Sequence, residues 1–326
     1  MAQITISAAA APLLPLLLML FSVGASAAED DPRPMIGMPN CVTSCGGVDV
    51  PYPFGLGPDP SCYLPVFNLT CDTAAGDAQA RLLLDVEGNL QVLSISNTIL
   101  RAQRNGNVKV DLDADGKGSS TFSSGLRHDG TYMLYLSELF LTGCNVQATV
   151  KRGNVTVASC TSLCEYYQQP ADSLVASFVH YCDGSAGCCR ADIVTNPYIN
   201  EEEAEVYSRS NTSGYDVQLR WLGHGNRSAD LERFPPRVFI SRRGWFSNGS
   251  VYTDMLRRGQ LPSKHMMAVP FYLYWEVAGN HSLCKGNHSK RVETTGGGYY
   301  CVCKPGYHGN PYHTVGCKER ILHPFD

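Results

Sequence analysis

Fourteen cysteines, in groups of four (Cys41 to Cys71), six (Cys144 to Cys189) and four (Cys284 to Cys317), constrain this 326-residue chain more than any other feature. An even, clustered count implies disulfides and an oxidising compartment. The groups are Cys41, Cys45, Cys62 and Cys71, then Cys144, Cys160, Cys164, Cys182, Cys188 and Cys189, then Cys284, Cys301, Cys303 and Cys317. Spacing alone leaves three pairings open for the first group and fifteen for the second. A Cys-x3-Cys with a paired Cys can hold zinc, but in an exported chain disulfides compete for the same thiols. Neither a metal nor a cofactor is expected. Asp111-x-Asp113-x-Asp115-Gly116 opens like a calcium loop, yet its twelfth position is Phe122 where a bidentate Glu is required.

Export has its own signal. Ala8 to Ala28 is almost wholly apolar or small, leucine-rich at its centre, and ends at Ala25-Ser26-Ala27. This reads as a signal peptide over residues 1–27, although no Lys or Arg precedes the apolar run. No later stretch approaches the roughly eighteen apolar residues of a membrane span, and Leu322 to Asp326 lacks the apolar tail of a lipid-anchor signal. The expectation is a secreted, extracellular protein with no transmembrane span of its own. Asn-x-Ser/Thr occurs at Asn68, Asn154, Asn211, Asn226, Asn248, Asn280 and Asn287, seven of 16 asparagines. Chance placement gives about two, so N-glycosylation is expected. With 26 basic against 30 acidic residues, the basic excess of a nucleic-acid binder is missing.

Between Cys71 and Cys144 no bridge can help, so an apolar core must hold the chain. The run Val108 to Asp115 alternates apolar and charged residues, the pattern of a half-buried strand. Asn105-Gly106 before it reads as a hairpin turn, and Leu93 with Ile95 as a same-face pair upstream. Further strands are expected at Tyr132 to Leu136, at Val146 to Val150 turning through Gly153-Asn154 into Val155 to Val157, at Tyr215 to Trp221, and at Ala268 to Val277. Only Asn200 to Tyr207 reads as a short helix or an acidic surface turn. The fold class is mainly β: disulfide-rich β-sheet domains over 28–143 and 144–278, then a small C-terminal module over 279–326.

Cys41-x3-Cys45-Gly46-Gly47, then Val50-Pro51-Tyr52-Pro53-Phe54-Gly55, then Cys62 and Phe67-Asn68-Leu69-Thr70-Cys71 resembles the galacturonan-binding extracellular domain of plant wall-associated receptor kinases. Within the core of that motif the prolines fix φ, and the glycine is read as adopting a backbone angle other residues resist. Gly143-Cys144, Cys160-x3-Cys164 and Gly187-Cys188-Cys189 extend the likeness. The segment Gly297-Gly298-Tyr299-Tyr300-Cys301-Val302-Cys303 to Gly309-Asn310-Pro311-Tyr312 resembles the second half of an EGF-like module as that family carries it. Such modules pair six cysteines first-third, second-fourth and fifth-sixth. Here no first cysteine precedes Cys284, and Arg291 stands where the third belongs. The resemblance therefore implies Cys284-Cys301 and Cys303-Cys317, a degenerate four-cysteine module without calcium.

What the resemblance implies is an extracellular polysaccharide-binding protein of the plant cell wall whose partner is pectin, that is homogalacturonan. Relatives continue into a membrane span and a Ser/Thr kinase, whereas this chain stops nine residues after Cys317, so a kinase-less ectodomain is expected. Galacturonan is a polyanion and calls for Lys or Arg, preferably Arg in forked geometry. The candidates are Arg81, Arg101, Arg104 and Lys109, then Arg220, Arg242 and Arg243 from an arginine-rich segment. Residues 41–140 carry six basic against eleven acidic side chains, whereas 220–264 carries nine against three. The bland account of that second segment is a solvated basic face, and core packing that of its aromatic neighbours Trp221, Phe239, Trp245 and Tyr252. No nucleophile, zinc-protease, phosphate-loop or kinase motif occurs, so no enzyme is expected. The alternative is a secreted disulfide-rich interaction module, a decoy or co-receptor for receptor-kinase ectodomains, that binds no carbohydrate.

Overall fold

The apolar alternation seen in the sequence becomes strands wherever a neighbouring strand completes a ladder. The computed structural model describes residues 36–74, 80–85, 88–123, 126, 131–164, 182, 184, 187–195, 214–223, 227–228, 231, 234–247, 268–279, 282–294 and 297–319. A hairpin of β1 (Ser44–Cys45) and β2 (Val48–Asp49) is followed by β3 (Gly55–Leu56), β4 (Asn68–Asp72), β5 (Arg81–Leu83), β6 (Leu90–Ile95) and β7 (Ile99–Asn105). Next come β8 (Lys117–Thr121), β9 (Tyr132–Tyr135), β10 (Ser137–Thr142), β11 (Val146–Arg152), β12 (Val155–Ser162) and β13 (Cys188–Ile193). Then follow β14 (Tyr215–Trp221), β15 (Arg237–Arg242), β16 (Ala268–Trp275), β17 (Ser289–Glu293), β18 (Tyr299–Cys303), β19 (Tyr307–Gly309) and β20 (Cys317–Glu319). The expectation of a mainly β, disulfide-rich architecture is borne out.

Three sheets make the body, in the orders β3-β4-β5-β6-β7-β16-β9, β12-β11-β14-β8 and β13-β10-β15. Strands from both sides of position 143 are interleaved in all three, and residues 34–326 form one compact unit. Val146, Ala148 and Val150 of β11 and Tyr215, Val217 and Leu219 of β14 are buried in one core with Leu90, Val92, Leu100, Ala102 and Phe271 of the seven-stranded sheet. The amide of Leu134 donates to the Tyr215 hydroxyl at 3.0 Å, tying two sheets together through that core. Central β10 is buried along its whole length. Its Leu139 and Leu141 enter the main core, while Phe140 stacks on Phe246 at 4.0 Å in a second cluster.

Three readings of the sequence need correction. Val108 to Leu112 does point alternately in and out, but only Val108 finds a partner, bridging Val238, so most of the run is extended backbone without a ladder. Asn105-Gly106 ends β7 without opening a hairpin, because the run after it does not pair with β7; the tight turn here joins β6 to β7 at Ser96-Asn97-Thr98, where the Ser96 amide donates to the Ile99 carbonyl. A bulge between Val92 and Ser94 turns Leu93 outward, to 41% exposure, so it does not share a buried face with Ile95. The residues expected to form the signal peptide and the acidic 200–207 segment lie outside the described residues.

Seven disulfides join Cys41 to Cys62, Cys45 to Cys71, Cys144 to Cys164, Cys160 to Cys189, Cys182 to Cys188, Cys284 to Cys301 and Cys303 to Cys317, leaving no free cysteine. None falls within the cysteine-free stretch that builds β5 to β10. The last segment holds two-stranded pairs β17-β18 and β19-β20 and is fastened to the body by side chains of its Gly-Asn-Pro-Tyr turn. Asn310 Nδ2 donates to the carbonyls of Ile36 (2.9 Å) and Tyr52 (2.8 Å), while its Oδ1 accepts from the Tyr312 amide at 3.0 Å. Tyr312 packs edge-on to Tyr52 and beside Trp275. The turn of one motif is thereby seated on the Tyr-Pro-Phe-Gly loop of the other. Gly55 in that loop is required for space and not for a special backbone angle, because a Cβ there would lie 2.2 Å from the Cys62 carbonyl oxygen.

Candidate functional site

Residues directly opposite each other in a sheet share a face, and successive residues of a strand alternate. In β7, Leu100 and Ala102 are buried, so Arg101 and Gln103 project outward and Arg104 returns to the inner side. Arg104 is committed there. Its Nη1 donates to the Phe122 carbonyl at 2.6 Å and its guanidinium lies 5.5 Å from the Phe122 ring centre. Three residues along one strand separate a solvent-facing arginine from an internal one.

Outward, Arg101 stands opposite Ser94 of β6 and Tyr272 of β16, and Tyr272 stands opposite Tyr135 of β9. This row crosses four strands, about 14 Å at the usual strand spacing. The Arg101 guanidinium lies 5.9 Å from the Tyr272 ring centre, which orients the charge without consuming its hydrogen-bond donors. Gln91 and Gln103, joined at 2.9 Å, flank the row. Arg81 shares this face through the register Leu83 to Gln91 to Gln103, but it is paired with Asp72 at 2.5 Å. Beyond Tyr272, Tyr274 meets Tyr300 of the C-terminal module edge-on at 6.4 Å. Aromatic rings and a charge-bearing fork on one sheet surface can bind a polar ring that carries carboxylates.

The remaining candidates are dispersed. Lys109 is exposed on the extended segment after β7, and Arg220 is exposed at the end of β14 in another sheet. Arg242 and Arg243 sit at the end of β15 in the third sheet, and Arg243 pairs with Asp192 at 2.9 Å. From the arginine-rich segment, Arg227 donates to the carbonyls of Asp113 and Ala114, clamping the loop whose Asp113 carboxylate accepts from the Asp115 and Lys117 amides. Those bonds make Asp113 a turn-former. Arg233, Arg257, Arg258, Lys264 and Tyr252 lie outside the described residues. Phe239 is buried and Trp245 packs on Phe246, as core packing requires. The sequons Asn68, Asn154 and Asn287 are exposed, and Asn211, Asn226, Asn248 and Asn280 lie outside the described residues. No cluster of three or more metal-ligating side chains occurs among the described residues.

Sequence reasoning treated Arg101 and Arg104 as one cluster although the apolar residues at 100 and 102 already assign them to opposite faces. It did not single out Tyr135 and Tyr272, which are 137 positions apart and meet only through strand pairing. Among the described residues no helix is long and apolar enough to cross a membrane.

Residues 41–104, which end one residue short of the end of β7 and include Arg81, Arg101 and Arg104, match the family described as wall-associated receptor kinase galacturonan-binding. Among curated proteins, the chain is 28% identical over 302 residues to wall-associated receptor kinase 1 of Arabidopsis thaliana, covering 86% of this chain and 34% of that protein. It is 27% identical over 310 residues to wall-associated receptor kinase 3 of the same plant, covering 86% and 36%. The chain thus spans about a third of the length of the curated relatives it matches. The resemblance carried by the cysteine spacing and the Tyr-Pro-Phe-Gly core is borne out: over most of its length this chain is similar to the wall-associated receptor kinases, and in residues 41–104 to their galacturonan-binding region.

Proposed function

We propose that this protein is a non-catalytic, extracellular binder of acidic cell-wall polysaccharide of the pectin type, with the outward face of the seven-stranded sheet as its contact surface. The carrying observation is the row Ser94, Arg101, Tyr272 and Tyr135, in which an arginine with open donors lies among aromatic rings. The match of residues 41–104 supports the ligand class. Export through residues 1–27 and glycosylation at the seven sequons fit the same setting. The row carries no pair of carboxylates of the kind glycoside hydrolysis ordinarily uses, which supports a surface that holds a polymer.

The test is retention of the secreted, glycosylated protein on de-esterified homogalacturonan at graded salt. Arg101→Ser is expected to cut retention about tenfold at low salt, the worth of one charge-assisted hydrogen bond. Loss of the wild-type signal at high salt is expected as well. No retention at low salt, with or without calcium, would sink direct binding. The second reading, an interaction module for receptor-kinase ectodomains, is favoured by the excess of eleven acidic over six basic residues in 41–140. Retention that requires calcium would reconcile that charge with a pectin ligand, because both sides would share the ion.

A further inference from the structure

Where the Tyr-Pro-Phe-Gly loop, the β6–β7 turn and the Gly-Asn-Pro-Tyr turn meet, a cleft of about 250 Å³ opens. Its apolar lining includes Tyr52, Trp275, Pro311 and Tyr312, and its polar groups include Asp49 and Asn97. Both Asp49 and Asn97 are exposed, and neither side chain has a hydrogen-bond partner among the described residues. Among the described residues, no Lys, Arg or His lines the cleft. Clefts for drug-sized molecules run to about 300–1,000 Å³, so this one takes a single ring and not a length of polymer.

We propose that this cleft is a second carbohydrate subsite that takes one uncharged pyranose residue, the reverse of the charge preference of the Arg101 face. Aromatic and proline surfaces suit the C–H face of a sugar ring. The Asp49 carboxylate accepts from ring hydroxyls, and the Asn97 amide both donates and accepts. A uronate would bring its own carboxylate toward Asp49 with no cation in the lining to offset it. A simple ammonium group could use Asp49 and the rings but would leave the Asn97 amide idle, which favours the sugar. The site is built in advance. Asp49 to Tyr52 lie within the loops closed by Cys41–Cys62 and Cys45–Cys71, Gly309 to Tyr312 within the loop closed by Cys303–Cys317, and the two Asn310 bonds tie these loops together. The inference shares only the carbohydrate class with the proposal above and does not depend on Arg101.

Saturation-transfer NMR on the full secreted protein tests it. The probes are methyl galacto-, gluco- and mannopyranosides, the galacto- and glucopyranosiduronates, and an acetyl-lysine amide. At least one neutral glycoside is expected to receive saturation and, in the Arg101→Ser protein, where the sheet face has lost its cation, to bind about fivefold more tightly than its uronate at low salt, the effect of one like-charge contact in water. Asn97→Ala is expected to weaken the neutral ligand about tenfold. Asp49→Asn added to Arg101→Ser should bring neutral and uronate glycosides within about twofold. Absence of transfer to every neutral glycoside, a uronate that binds the Arg101→Ser protein as well as its neutral partner, or full displacement of sugar by the lysine amide would each overturn the assignment. A positive result here combined with no retention on homogalacturonan would remove the pectin reading and leave this subsite standing.

Discussion

Residues 81–142 and residues 282–319 are held by opposite means. The first stretch has no bridge and buries Leu82, Leu90, Val92, Leu100, Ala102, Phe122, Leu134 and Leu139 almost completely. The second has two bridges and two two-stranded pairs, and its buried Tyr299, Cys301 and Tyr312 belong to the body's core. A segment below about 40 residues rarely buries enough surface to stand alone. Where the resemblance places a missing cysteine, Arg291 instead lies 3.8 Å over the Tyr299 ring and pairs with Glu293 at 2.6 Å. The contrast teaches that the C-terminal module takes its order from docking as well as from disulfides, which makes it part of the same body.

Trp275→Ala should break the contrast most severely. Trp275 touches Phe54, Phe67 and Tyr312, and its indole donates to the Ser96 carbonyl, so it serves both regions. A loss of about 3–5 kcal/mol is expected. Urea unfolding should show one transition shifted as a whole, and two separated transitions would mean that the module stands alone. Asn310→Ala comes next, at about 1–3 kcal/mol, because the carbonyls of Ile36 and Tyr52 lose their donor. Hydrogen exchange should rise in 36–52 and 282–319 and stay unchanged in 81–142. Arg104→Met should cost about 1–2 kcal/mol in thermal stability by stranding the Phe122 carbonyl, yet leave polysaccharide retention intact. The reverse pattern holds for Arg101→Ser, whose stability should stay within about 0.5 kcal/mol of wild type.

The smallest effect is a pH dependence at the seam. Glu276 is buried between the end of β16 and Thr294 and Gly298 of the module. Burial raises its carboxyl above the ordinary range, against the opposing pull of the neighbouring Thr294 hydroxyl and the Arg152 charge. The folded state therefore prefers the protonated form, and that stabilisation is full below the ordinary value of 4.5 and fades as pH rises through the raised one. Glu276→Gln should flatten the fall of the thermal midpoint between pH 4.5 and 7 by a few degrees at most. Equal slopes in the two proteins would assign the dependence elsewhere, with Glu138 in β10, also raised by burial, as the next candidate.

Strands at 146–157, 215–221 and 268–275 were legible because each carries its own in-and-out record, whichever partner it finds. Pairing was not legible, since nothing local says that Ala268–Trp275 enters between β7 and β9. The Val108 run marks the limit of periodicity, which reports burial and is silent on whether a ladder exists. Of the proposed surface, Arg101 could be read from its flanking Leu100 and Ala102. Tyr135 and Tyr272 could not, nor could the cleft, whose walls come from five separated stretches of chain. Asn310 looked like an ordinary turn residue, because its two long-range acceptors exist only after docking.

The place of β16 in the seven-stranded sheet also sets a timetable. Its first residue is Ala268 and its partner strand β7 ends at Asn105, 163 positions earlier. At roughly 5–20 residues per second, on the order of ten seconds or more of synthesis separate the two. From the synthesis of β9 until that of β16, β7 and β9 lack the strand that joins them, so they present open edges to whatever is nearby. The Arg101–Tyr272 contact forms only when nearly the whole chain is available. The proposed contact face is thus completed late and all at once, after an unfinished sheet has stood open during synthesis.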